Sequence, residues 1–210
     1  MGDANLTAPT VTAEERVFPS PGKQPSVFLV VKFLLGQVGR TGDRRRAVEM
    51  LVTVGDLPGA GWTQLSQRSS RSIPSVRSGR RRRRHVWALR KFRQEEPARG
   101  LHTELLVFDS DEEAQRAVGR FRTGYVRYPG VTTVTERVVG DITVEGLDST
   151  CAWERENVRR EVRGFARSVA GQVGPVAILV IGSATGEGWR WDDLLSVTRH
   201  QVWKVTHPTS

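Results

Sequence analysis

A single cysteine, Cys151, excludes any disulfide within the chain. It points to a reducing compartment or to no redox requirement, and hence to a cytoplasmic protein. A lone cysteine is also among the most buried residue types, so a small core residue is its plainest reading. Lysine is nearly as scarce: Lys23, Lys32, Lys91 and Lys204 stand against 28 arginines. With abundant Gly, Val and Ala, this is the bias expected of a GC-rich genome, where part of the arginine content carries no functional meaning.

Long apolar runs are missing as well. A membrane-spanning helix needs about 20 apolar residues, and the one conspicuous run, Val27 to Leu35, is shorter and carries Lys32 in its middle. Lys32 also spoils this run as the apolar centre of a signal peptide. A short buried helix, an interfacial segment and untranslated sequence all fit it. The last has a motive in Met50, which stands immediately before the first well-patterned segment, so Met1 and Met50 both fit as the start.

Signatures of catalysis and metal binding are absent. The histidines, His85, His102, His200 and His207, have no second ligand at a credible spacing. His102 and Glu104, two apart on a strand, share a face, yet a zinc site needs three or four ligands. No G-x-S-x-G elbow occurs, and nothing pairs Cys151 with a nearby histidine. The segment Gly182 to Gly188 stands between a strand and a helix, as phosphate loops do, but it lacks the Gly-Lys-Ser/Thr ending and carries Glu187, so it reads as a turn. Asp192 and Asp193 read as helix-start residues, since neighbouring carboxylates project apart. No catalytic, metal or cofactor-binding residue is assigned, and no cofactor is expected.

What is present is one patterned region. Residues 1–49 read as a disordered or poorly ordered extension, rich in proline before residue 26 and carrying the apolar segment 27–35. Residues 50–205 read as a single α+β domain, an antiparallel β-sheet with two main amphipathic helices packed on it. Pro58, Gly59 and Gly61 supply a turn that returns Trp62 to the core. Residues 66–85 read as a mobile Arg/Ser-rich loop. VWALRKFRQ (86–94) and LHTELLVF (101–108) form an antiparallel hairpin. Ser110 and Glu113 make a capping box ahead of Ala114, Ala117, Val118 and Phe121 at helical spacing. Further strands fall at 131–139, 150–157, 161–170 and 175–182. The apolar run Val176 to Ile181 marks the last as central, with both faces covered. A final helix from about Arg190 aligns Trp191, Leu194, Leu195, Thr198 and Val202, which places Trp191 in the core and Arg199 and Lys204 near solvent.

Charge is unevenly spread. Through residue 85 there are 15 Lys+Arg against 6 Asp+Glu, and from residue 86 onward 17 against 17. The excess therefore sits in the N-terminal region and one loop, whose peak is the run Arg80, Arg81, Arg82, Arg83 and Arg84. In an arginine-biased chain a solvated loop is the plain reading of this run. Anion or nucleic-acid contact, weak and non-specific, is the sharper one. No aromatic residue interleaves the run to offer a stacking platform.

The words DLPGAGW (56–62), HVWALRKF (85–92), FDSDEEAQRAV (108–118) and GWRWDDLL (188–195) are similar to a group of uncharacterised actinobacterial proteins, over roughly residues 50–203. The order of a P-G-W turn, antiparallel strands and a C-terminal helix more distantly resembles PsbP-like sandwiches, including the sensor domains of mycobacterial kinases and related lipoproteins. Those relatives are exported and often carry disulfides; this chain departs from them in its single cysteine. The resemblances imply a fold and no activity. The function expected is a non-enzymatic binding or interaction module, with a protein partner or a second copy as candidate partners. The alternatives are a nucleic-acid-associated protein using Arg80–Arg84 and an enzyme whose site is not visible in sequence.

Overall fold

The structure, a computed structural model, describes residues 41–72, 85–124, 132–159, 161–186 and 188–207. Helix α1 (Thr41–Glu49) leads through a 3-10 turn (Val54–Asp56) into strands β1 (Trp62–Ser72), β2 (His85–Gln94) and β3 (Arg99–Val107), then helix α2 (Asp111–Gly124). Strands β4 (Thr132–Val139), β5 (Ser149–Arg159), β6 (Val162–Val173) and β7 (Val176–Ala184) follow, then helix α3 (Trp191–Thr206). The fold is α+β. Every strand pairing is antiparallel, and the order across the sheet is β1-β2-β3-β7-β6-β5-β4. Two meanders thus join where β3 meets β7, and each ends in a helix.

The helices take opposite faces. Alternation along β7 sends Ile178 and Val180 to one side and Ala177 and Leu179 to the other, and all four are buried. On the first side, the α3 face, Phe92, Leu101, Leu105, Val169 and Ala152 meet α1, α3 and the segment Met50–Val52. On the second, the α2 face, Ala114, Ala117, Val118 and Phe121 cover Trp153, Ala170, Ala177 and Leu179. The continuous apolar run of β7 is therefore the central strand it was expected to be, since a strand buried on both faces has no reason to alternate.

Helix α2 follows its sequence signals closely. The Glu113 amide donates to Ser110 Oγ at 3.4 Å, and Asp111, Glu112 and Glu113 fill the first turn, where the helix dipole favours negative charge.

Three expectations differ from the structure. Residues 41–49, expected within a poorly ordered extension, form α1, and Ala47 is buried beside Met50, Leu51 and Val52. The short, arginine-rich stretch TGDRRRAVE hides this, because few of its residues are apolar. Residues 66–72, expected in a mobile loop, continue β1 and pair with β2 as far as Ser72 opposite His85. An edge strand facing solvent needs no apolar alternation, and charge together with a bulge, here between Gln64 and Ser66, discourages further pairing.

The third difference concerns α3. Its buried residues are Leu194, Val197, Thr198, Gln201 and Val202, whereas Trp191 and Leu195 are half-buried. Gln201 faces inward because its amide donates to Met50 O at 2.6 Å and accepts from the Val52 amide at 3.1 Å. The core tryptophan at this end is Trp189, 2% exposed. Arg199 is exposed as expected, but Lys204 is largely covered and pairs with Asp56 at 3.2 Å.

Candidate functional site

Of the sequence-derived candidates, Arg80, Arg81, Arg82, Arg83 and Arg84 lie outside the described residues. Their flanks do not: the chain enters the segment from Ser72 on β1 and leaves it at His85 on β2, directly opposite one another. The arginine run thus belongs to the connection of a hairpin at the sheet's edge.

That hairpin concentrates the charge of the whole protein. Between Trp62 and Gln94 there are 11 Lys+Arg and no Asp or Glu; the chain totals 32 and 23, so everything outside the hairpin holds 21 against 23, a net of −2. A division of the chain at residue 85 conceals this, because it separates β1 from β2. Strand pairing, which sequence alone did not supply for residues 66–72, sets the strand that carries Arg68 beside the one that carries Arg90, Lys91 and Arg93.

Register sorts these cations. Phe92 faces α1, so Arg90 points to the same side; there its guanidinium donates to Leu51 O and Val52 O, each at 2.9 Å, and to Gln67 Oε1 at 2.8 Å. Arg90 is 9% exposed and serves the fold. Leu89, Lys91 and Arg93 point to the α2 face, where β1 sets Arg68 opposite Leu89 and Ser70 opposite Trp87. Helix α2 lies over β5, β6, β7 and the rim of β3, and no helix among the described residues packs over this side of β1 and β2. This face of β1 and β2 carries Arg68, Trp87, Lys91 and Arg93, of which Arg68 and Arg93 are exposed, around Leu89, which is buried.

On β3 the same face carries His102 and Glu104, opposite Lys91 and Leu89. They meet as the sequence suggested, with His102 Nε2 3.1 Å from Glu104 Oε2, and Trp87 Nε1–H donates to the other carboxylate oxygen at 2.7 Å. Glu104 thereby fixes both rings. Among the described residues no group of three metal-ligating side chains occurs.

The other candidates have structural partners. Cys151 is half-buried against the α2 core, and burial pushes its thiol pKa up, which makes it a poor nucleophile. Gly182 belongs to β7; a Cβ there would lie 2.6 Å from the Trp189 ring, so this glycine exists to admit the indole. Gly186 and Gly188 turn the chain at φ +91° and +75°, as a turn requires. Asp193 pairs with Arg99 at 3.4 Å, while Asp192 approaches Arg190 at 3.8 Å on the surface. His200 is exposed on α3, and His207, exposed just past its end, stacks on Trp203.

Two carboxylates are tuned by the fold. Burial alone would raise the pKa of Glu154, but hydrogen bonds from Arg137 at 2.6 Å and Arg167 at 2.7 Å outweigh it and hold the group below its ordinary value. Asp56 is likewise lowered: bonds from Thr53 and the Lys204 ammonium outweigh its burial. A lowered folded-state pKa contributes stability above the unfolded value of about 4, and that stability is lost as pH falls through the folded value. The urea midpoint should therefore drop more steeply from neutral pH to about pH 3 in the native chain than in Glu154→Gln. Parallel acid limbs in the two proteins would refute the assignment.

No protein-family model matches the chain, and neither a curated protein nor a solved structure matches it.

Proposed function

We propose that the chain is a non-enzymatic binding module whose contact surface is the basic β1–β2 hairpin. The observation that carries the reading is the segregation of charge along the chain: the 33 consecutive residues from Trp62 to Gln94 hold 11 cations and no acid, and the rest of the chain holds 21 against 23. Charge of one sign concentrated in one stretch of chain raises the local concentration of polyanions and orients their approach. Asp56 and Glu154, whose pKa hydrogen bonds lower against burial, and Arg90, whose pKa burial lowers, are all tied into internal bonds, which supports a structural role for each.

The test is a five-fold substitution of Arg80 to Arg84 by serine in the full chain, read by heparin affinity across a salt series and by thermal melting. Heparin affinity should fall and depend less on salt, while the melting temperature stays within about 2 °C, since surface changes away from packed groups rarely exceed about 0.5 kcal/mol. Unchanged heparin affinity would remove the hairpin from the binding surface. No helix among the described residues is long and apolar enough to cross a membrane.

A further inference from the structure

We propose that the apolar run Val27 to Leu35, which lies outside the described residues, packs within its own chain against the α2 side of β1 and β2. The proposal goes beyond the reading of the hairpin as a polyanion surface and names what covers the sheet beside it.

Burial is the first observation. On this side Leu89 is 5% exposed, and the side chains of His102 and Glu104 on the neighbouring strand are 14% and 13% exposed. Neighbours in a sheet stand about 4.8 Å apart between strands and about 7 Å apart along one, so they screen the base of a side chain and leave its tip to whatever lies above. Here the tips are covered too, and Lys91 on the same face is engaged as well. Helix α2 meets β3 at Leu106 and, just past its end, Phe108, and no helix among the described residues lies over this side of β1 and β2. These burials arise within a single chain, so the cover belongs to it.

The second observation is a run of the right chemistry. Val27 to Leu35 holds eight apolar residues, one lysine and no acid. It is too short to span a bilayer, which needs about 20 apolar residues, and apolar side chains gain by leaving water. Lys32 can lay its stem along an apolar surface and keep its ammonium in solvent. Residues 73–84 are rich in Ser and Arg, and residues 125–131 lead to β4 at the other edge of the sheet, so neither suits the task.

Third, the tether confines the run to these strands. Only residues 36–40 separate it from α1, which packs on the opposite side of β1 and β2. The six steps from Leu35 to Thr41 reach about 20 Å when extended, and passing from a layer on one side of a sheet to a layer on the other takes about 20 Å, at roughly 10 Å for each. Because β1 is an edge strand, the chain can round it without threading the sheet, and it has no length left to reach β5 or β6.

The experiment uses the full chain in a Cys151→Ser background, with Arg68→Cys paired in turn with Phe28→Cys, Val31→Cys and Leu35→Cys. Arg68 is exposed on the α2 side, and Trp203→Cys, at an exposed position of α3 on the other side, replaces it in the control. A short bismaleimide should link position 68 to at least one position of the run within a monomer, and position 203 to none. With the native cysteine in place, Phe28→Ser/Phe33→Ser should raise the rate of Lys91 acetylation several-fold while Lys204, paired with Asp56, stays unchanged as the internal reference. The same variant should melt at least about 5 °C lower. Should it fail to fold, the crosslinks still decide. Links that form only between two chains overturn the proposal in favour of a second copy. Binding to phosphatidylglycerol vesicles that the double Phe variant abolishes, with Lys91 reactivity unchanged, overturns it in favour of a membrane surface. No link at any of the three positions, with melting unchanged, overturns it outright. None of the supporting readouts involves heparin, so this proposal and the hairpin reading can fail separately.

Discussion

Replacing Trp189 with alanine should lower the unfolding free energy by about 3–5 kcal/mol, at the upper end for a core truncation. The indole is 2% exposed and lies 5.4 Å from the Trp62 ring at an interplanar angle of 37°. Arg99 places its guanidinium 5.1 Å from the Trp189 ring and 5.5 Å from that of Trp62, and is itself held by Gln94 at 2.9 Å. The indole N–H donates to Gly100 O at 3.0 Å. Truncation therefore opens a cavity beneath the start of α3, removes a cation–π partner and leaves a carbonyl without its donor. Trp191, two residues on, should behave differently. Its Nε1–H bonds Glu154 at 3.0 Å and Arg167 lies over its ring, but it is half-buried at the sheet's end, so Trp191→Ala should cost under about 2 kcal/mol. Urea unfolding of both variants decides, and equal losses, or less than about 1.5 kcal/mol at Trp189, would refute this account of the core.

The contrast between these tryptophans shows where the sequence was legible. Elements whose patterning came from packing alone were readable: the α2 stripe from Ala114 to Phe121 matched its buried face, and β7 announced its central place by failing to alternate. Elements shaped by polar stitching were not. Gln201 turns the core face of α3 toward the backbone of residues 50 and 52, and no periodicity of apolar residues encodes that bond. Trp189 precedes the helix, outside the stripe where periodicity looks for it. The candidate surface was hidden for another reason. The arginine run is visible in the sequence, but residues 66–72 look like loop because an edge strand meets solvent where an interior strand would meet a core. Without the pairing of β1 to β2, nothing sets Trp87 on the same face as Arg68, and the run reads as lacking any aromatic neighbour.

Replacing Arg90 with alanine should cost about 2–4 kcal/mol, and the loss should appear first around α1. Arg90 is buried on β2, and burial lowers its pKa, an effect that the nearby Asp56 charge opposes. The guanidinium still carries its proton at neutral pH, as arginine does in proteins. One fork serves three acceptors, Leu51 O, Val52 O and Gln67 Oε1, and so ties the segment after α1 and the edge strand β1 to β2. Alanine leaves two buried carbonyls without donors and deletes the stem that fills the space between them. Methionine restores the stem alone, so Arg90→Met should recover part of the loss. Lysine restores charge without the planar fork, so Arg90→Lys should not reach native stability. Because Gln201 holds Met50 O and the Val52 amide, Arg90→Ala and Gln201→Ala act on the same segment, and their combined cost should depart from the sum of the two. Hydrogen exchange should show α1 and residues 50–57 losing protection before β7, since local opening needs only this stitch to fail. Uniform loss of protection across the sheet, or full stability in Arg90→Met, would show that Arg90 fills space in the core and does not fasten α1 to it.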